Sequence, residues 1–358
     1  MIAAIAGAAL ILLVLWETFE TLVLPRRVAR RLRLTRVYYR MLWGAWSRIG
    51  RRHPGPRREN YLSVFAPLSL LLLFVIWGIG VIVGFALIQW GLHTNVAPEG
   101  EVGFGTYLYL SATTFVTLGL GDVAPTSSIG RVITAMEAGA GFAFLALSIS
   151  YLPVLYQSFS RREVGISMLD QWAGSPPTAV ELLRRAAAHG ELASVDDLLG
   201  DWERWSAELL ESHLSYPILA YFRSQHDEQS WLAALTAVLD ASALVLAGVH
   251  GVSHWQARRT FAISRHAVVD LTQVFRIEPR AVPADRLADD GMDDAARILE
   301  AAGVRLEARV AERIAPYRKL YEPYVQALSE RLQMPLPAFV PTTDALDDWQ
   351  RSAWAEPG

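Results

Sequence analysis

The sequence predicts an all-α membrane protein: three transmembrane helices, a short re-entrant helix between the second and third, and a helical cytoplasmic domain. Two observations carry this expectation. The 358 residues are 52% hydrophobic, and the apolar residues gather in long runs, Met1 to Leu24, Tyr61 to Leu92 and Ile129 to Phe159, each near or above the roughly 20 residues that cross a bilayer's hydrocarbon. Beyond residue 163 the apolar periodicity persists but is interleaved with Asp, Glu and Arg, the pattern of amphipathic helices.

The first run has no basic residues ahead of it and no small-residue cleavage pattern after it, so it reads as a span and not as a signal peptide. Net charge is only −3, yet twelve arginines lie before residue 59: Arg26, Arg27, Arg30, Arg31, Arg33, Arg36, Arg40, Arg48, Arg51, Arg52, Arg57 and Arg58. Between two spans, this block is better explained by the positive-inside rule than by nucleic acid. The cluster Ser160-Arg161-Arg162 ends the third run with the same sign. Both place the intervening segment and the C-terminal half in the cytoplasm of a multi-pass plasma-membrane protein. Val37 to Trp46 mixes aromatics with arginine, as in a helix lying in the headgroup plane among lipids. His53-Pro54-Gly55-Pro56 breaks it. Glu17 and Glu20, near the end of the first run, are expected to pair with Arg26 and Arg27.

The division expected is 1–59, an N-terminal span with a basic interfacial segment; 60–160, the second and third spans with the loop between them; and 161–358, the helical domain. A linker at Ala173-Gly174-Ser175-Pro176-Pro177 precedes helices near 178–189, 194–213, 228–249, 253–275 and 291–315. The last carries Met292, Ala295, Leu299, Ala302, Leu306, Val310 and Ile314 on one apolar face. Trp231 to Val249 is apolar enough to span, but Asp240 at its centre favours a helix buried in protein.

Cysteine is absent, which excludes disulfides and thiolate metal sites. No Gly-x-Gly-x-x-Gly after a strand and no Walker sequence occur. His250 and His254 have the i, i+4 spacing of a metal pair without a third ligand; they read as helix-surface histidines, and His213 and His226 likewise specify no ligand site. No organic cofactor, no resident metal site and no enzymatic activity are expected.

Between the second and third runs, Gly105 to Val116 makes a short helix, followed by Thr117-Leu118-Gly119-Leu120-Gly121-Asp122. Alternating glycines permit positive φ and let successive carbonyl oxygens face one axis. Rings of carbonyls can replace a cation's hydration shell. This segment resembles the pore loop of potassium channels of the single-pore-loop prokaryotic type, whose filter reads Thr-Val-Gly-Tyr-Gly-Asp and matches at four of six positions. Pro125, Gly130-Arg131 and Gly141, where such channels carry an inner-helix hinge, extend the resemblance. Leu118 and Leu120 depart from it, although leucine at the latter position is similar to filters of some two-pore-domain channels. Tyr109 and Leu110 stand where several channels place a tryptophan pair.

The resemblance implies a potassium-selective homotetramer with potassium ions in the filter, bound by the carbonyls of Thr117, Leu118, Gly119 and Leu120 and the Thr117 hydroxyl. Asp122, Glu99 and Glu101 would make the outer mouth negative; a solvated turret is the other reading for the two glutamates. Phe142, Leu145, Ile149 and Pro153 share one helical face with Gly141. They line a cavity with a constriction at Pro153 or pack on other helices. Glu137, one turn before Gly141, either makes a hydrogen bond behind the filter or meets cations in the cavity. The alternatives to a selective channel are a weakly selective monovalent cation channel and a non-conducting membrane-anchored sensor or scaffold. The C-terminal half resembles no recognised family, and its ligand or partner is unspecified.

Overall fold

The computed structural model describes residues 1–24, 33–97, 102–225, 228–279, 286–287 and 291–341. Along the first part of the chain, α1 (Ile2–Thr18) continues into a π-helical turn, Phe19–Val23, and α2 spans Leu34–Gly50. After the Pro-Gly-Pro break come α3 (Pro56–Ser63) and α4 (Phe65–Gly91), then the two-residue strand β1 (Val96–Ala97), α5 (Phe104–Phe115), β2 (Ala124–Pro125) and α6 (Ser128–Ala173). The second part holds α7 (Ala179–Ala188), α8 (Val195–Ser215), α9 (Trp231–Gly248), α10 (His254–Phe275), α11 (Gly291–Ala301), α12 (Val310–Lys319) and α13 (Glu322–Leu332).

The chain divides into two compact units: Met1–Arg52 with Val64–Gln157, and His53–Ser63 with Ser158–Gly358. Four described helices are long and apolar enough to cross a membrane. Three of them, Ile2–Val23, Pro56–Gly91 and Ser128–Ala173, leave most of their apolar surface uncovered, whereas Trp231–Gly248 is buried over its whole length.

In the first unit α1 runs antiparallel to α4, and glycine sets their spacing. A Cβ on Gly7 would collide with the Gly84 carbonyl, and one on Gly91 with the backbone of Ala4. Small residues at such a contact let two helix backbones touch where lipid gives no hydrophobic drive to associate. The Met1 ammonium donates to the Gly91 carbonyl at 2.9 Å, capping the end of α4. Glu17 is buried. It accepts from the backbone N–H groups of Leu34 and Thr35, both at 3.1 Å, and from the Thr35 hydroxyl at 2.8 Å, so it caps the N-terminus of α2. Glu20 lies 3.5 Å from Arg33 and accepts from Trp16 Nε1 at 2.8 Å. Arg26, Arg27, Arg30 and Arg31 lie outside the described residues. α2 is fastened to α4 by Trp43 edge-on to Phe65 at 4.8 Å and by Tyr38 O–H to the Ser69 carbonyl at 2.7 Å.

α6 corrects an expectation, because it does not stop at Ser160-Arg161-Arg162. Its 46 residues give about 69 Å of helix, more than twice the roughly 30 Å hydrocarbon thickness, and it ends only at Ala173, before Gly174 with φ 74°. Within the second unit Arg162 is a buried anchor and not a headgroup-facing charge. It donates to the carbonyls of Leu219 (2.9 Å) and Phe222 (3.0 Å), pairs with Glu163 at 2.8 Å and lies over the Phe159 ring.

α9 forms the axis of the second unit, sheathed by α7, α8, α10, α12 and α13. Ser230, Ser253 and Thr178 cap α9, α10 and α7 through side-chain oxygens. Asp240 is fully buried, held by a bidentate Arg286 at 2.8 and 2.9 Å and by the Tyr321 hydroxyl, while Arg286 also takes Glu322 with two bonds of 2.8 Å. The helix expected over 291–315 is two. Gly303, with φ 85°, ends the first, and Leu306 pairs with Val249 in an isolated antiparallel bridge before α12 begins. His250 lies in the turn ahead of α10 while His254 opens it, so the pair does not share a helix face. His213 is 0% exposed and not a surface group. Its Nε2 faces Arg162, a donor only, so Nδ1–H donates to the Leu209 carbonyl at 2.9 Å. Burial first, then the Arg162 charge, hold its pKa well below 6.5. His226 lies outside the described residues. Among the described residues no group of three or more His, Asp or Glu could hold a metal ion.

Candidate functional site: the re-entrant helix and the strip that follows it

α5 is seated by a small apolar core. Tyr107 and Leu110 pack with Ala86 of α4 and Val96 of β1, and the Tyr107 hydroxyl donates to the Thr94 carbonyl at 2.6 Å. β1 pairs antiparallel with β2, Val96 opposite Pro125 and Ala97 opposite Ala124, so the chain leaving the strip is tied to the chain entering α5. Arg131 Nε donates to the Pro125 carbonyl at 3.3 Å, and Gly130 lies close to Pro125, Ser127 and Thr94. These contacts give the Gly-Arg pair its structural role.

The strip follows directly. Thr117, Gly119 and Gly121 have φ of 58°, 54° and 80°, and Leu118 and Leu120 between them do not share that sign. A backbone alternating between left- and right-handed residues turns successive peptide planes the same way, which aligns their carbonyls along one side. The glycines were legible for this. Thr117 was not, because a β-branched residue rarely takes positive φ. The Leu118 and Gly119 N–H groups both donate to the Thr113 carbonyl at 2.8 and 3.1 Å, so the start of the strip is hung from the last turn of α5. At its far end the Tyr109 hydroxyl donates to Asp122 Oδ2 at 2.8 Å. Residues 116 to 122 are exposed, and a Cβ on Gly119 or Gly121 would meet nothing within 4 Å. Leu118 and Leu120 are 60% and 59% exposed.

α6 passes behind this assembly. A Cβ on Gly141 would collide with the Phe115 carbonyl, so glycine there permits α6 to touch the C-terminal end of α5. Phe144 packs on Phe115 and Phe74. Phe142, Leu145, Ile149 and Pro153 are exposed along one side of the single chain, and the helix continues through Pro153. Glu137 is withdrawn from that face. It is 0% exposed and bonded to the Ser111 hydroxyl of α5, so of its two readings the geometry favours the hydrogen bond behind the strip. Ser111, which the sequence reading passed over, also lies 2.7 Å from the Ile82 carbonyl of α4, making one hydroxyl the meeting point of three helices. Glu99 and Glu101 lie outside the described residues.

Residues 70–157 match a family model described as "Ion channel". The chain is 29% identical over 212 residues to the uncharacterized membrane protein YdjJ of Bacillus subtilis (strain 168), an alignment covering 58% of this chain and 59% of that protein. No solved structure matches. The matched interval takes in most of α4, α5, the strip and α6 as far as residue 157. The chain is an all-α membrane protein, and its residues 70–157 form an ion-channel domain.

Proposed function

We propose that the chain is one subunit of a homotetrameric, passive, potassium-selective channel of the plasma membrane. The observation that carries this is the strip 117–121, whose alternating φ lines up its carbonyls and whose residues are exposed among the described residues. One strip supplies one quarter of a carbonyl ring, and four copies about an axis complete it. Potassium is the cargo, bound by the carbonyls of Thr117, Leu118, Gly119 and Leu120 and the Thr117 hydroxyl. Asp122 makes the outer mouth negative. Phe142, Leu145, Ile149 and Pro153 line the inner cavity, where an apolar constriction gates by dewetting. The helical domain beyond α6 is cytoplasmic and sets the gate in response to a stimulus that its helices recognise. Lipids are its other partner; nucleic acid is not, and no reaction is catalysed.

A second reading, a weakly selective monovalent cation channel, is favoured by Leu118 and Leu120, which replace the valine and aromatic of the potassium-channel filter and are largely exposed in the single subunit. Potassium flux into liposomes holding the purified protein tests both. Potassium flux without sodium flux, abolished in Gly119→Asp, is the expected result. Equal sodium and potassium flux favours the second reading. No flux for any cation would leave a membrane-anchored sensor or scaffold.

A further inference from the structure

We infer that Glu137 is a positioning residue for the filter, held as an uncharged carboxylic acid that donates its proton to Ser111 Oγ and ties α6 to α5. This rests on the channel reading above and on a count of protons. Ser111 Oγ makes two close oxygen contacts, one with the Ile82 carbonyl at 2.7 Å and one with Glu137 Oε1. Two oxygens at hydrogen-bond distance repel unless a proton lies between them. The serine hydroxyl has one proton, and the Ile82 carbonyl has none. The second proton belongs to Glu137. The other carboxyl oxygen, Oε2, is buried without a partner among the described residues. An uncharged carbonyl oxygen tolerates such a place far better than one bearing part of a negative charge.

The position of the bond explains what it does. Ser111 lies two residues before Thr113, whose carbonyl holds the N–H groups of Leu118 and Gly119, and Phe115, two residues after Thr113, touches α6 at Gly141. α6 therefore grips α5 at two points one turn apart, and the carbonyl that suspends the filter lies between them. Through Ile82 the same hydroxyl fixes α4. Removing the Glu137 proton, or the acid itself, frees one side of the turn from which the filter hangs.

Two measurements on the full-length protein test the inference. In difference infrared spectra of the purified protein against Glu137→Gln, the carbonyl stretch of a protonated carboxylic acid is expected in the wild type, absent from the variant, and displaced in Ser111→Ala. A wild type lacking that band would overturn the assignment. In liposomes, Glu137→Gln, whose amide still donates, is expected to keep the potassium-over-sodium flux ratio. Glu137→Ala and Ser111→Ala are expected to lower it about tenfold, the change that one hydrogen bond of ordinary strength permits. A Glu137→Ala channel as selective as the wild type would overturn the positioning role. Should the wild type carry no ion, the channel reading fails by itself, and the infrared band with its dependence on Ser111 still decides the proton.

Discussion

Glu137 and Asp240 are buried carboxylates in two different environments. Each is fully buried in an apolar helix, Asp240 at the centre of α9 and Glu137 in the first third of α6, and the most apolar 18-residue stretches of the two helices have the same mean hydropathy. Around Asp240 the protein supplies a guanidinium and a phenol, and through Arg286 a second carboxylate. Around Glu137 it supplies one serine hydroxyl. Hydropathy does not separate a helix that faces lipid from one sheathed in protein, but the partner of its carboxylate does. A helix enclosed by charged amphipathic neighbours can be met by an arginine from a loop; one in a bilayer is met by what little polarity the adjacent spans carry. Glu17 is a third solution, a buried carboxylate compensated by the N-terminus of the next helix.

The largest expected effect tests the paired member. Arg286→Ala strands Asp240 in an apolar interior, and loss of one partner of a buried pair costs about 3–5 kcal/mol. Heat or denaturant unfolding followed by tryptophan fluorescence should register it, and Asp240→Asn in the same background should recover part of the loss. Full stability in Arg286→Ala would refute the contrast. Next in size is Glu17→Ala, which removes hydrogen bonds to a charged acceptor and is expected to cost about 1.5–3 kcal/mol, with Glu17→Gln losing less because one acceptor oxygen remains. Melting of the detergent-solubilised protein measures both.

The smallest effect concerns His213, a buried basic group. Its folded pKa is depressed by burial and by Arg162, so the unfolded chain binds the proton more readily and stability rises with pH. Above about pH 6.5 the group contributes no slope. Below it, each pH unit costs up to about 1.4 kcal/mol until the folded pKa is reached. Unfolding between pH 5 and 7.5 should carry this slope in the wild type and lose it in His213→Gln. A wild type with no pH dependence would show that His213 binds its proton equally well in the folded and unfolded chain, and overturn the depression of its pKa.

What could be read from the residues follows from what side-chain spacing records. The three long runs, the glycine-alternating strip, the break at 173–177 and the enclosure of Trp231–Gly248 are visible as composition and period. Period does not record backbone φ, so the apolar face from Met292 to Ile314 ran straight across Gly303, where the helix ends. Nor does charge record depth. Arg162 has the position of a membrane-stop arginine, yet its guanidinium is spent on carbonyls near residue 220 that only the folded chain brings to it. Ser111 was missed for the same reason: a serine in a short helix signals nothing until the Ile82 carbonyl and Glu137 arrive beside it.

Thr117 has a consequence for engineering. A β-branched residue in the left-handed region stands roughly 1–2 kcal/mol above its relaxed conformation, so the strip does not choose its own shape. The shape is imposed by the Thr113 carbonyl at one end and by Tyr109 at the other. Grafted into another loop without those two attachments, residues 117–122 would relax, and the copied sequence would arrive without the geometry. The transferable module is the strip together with the last turn of α5 and the wall behind it.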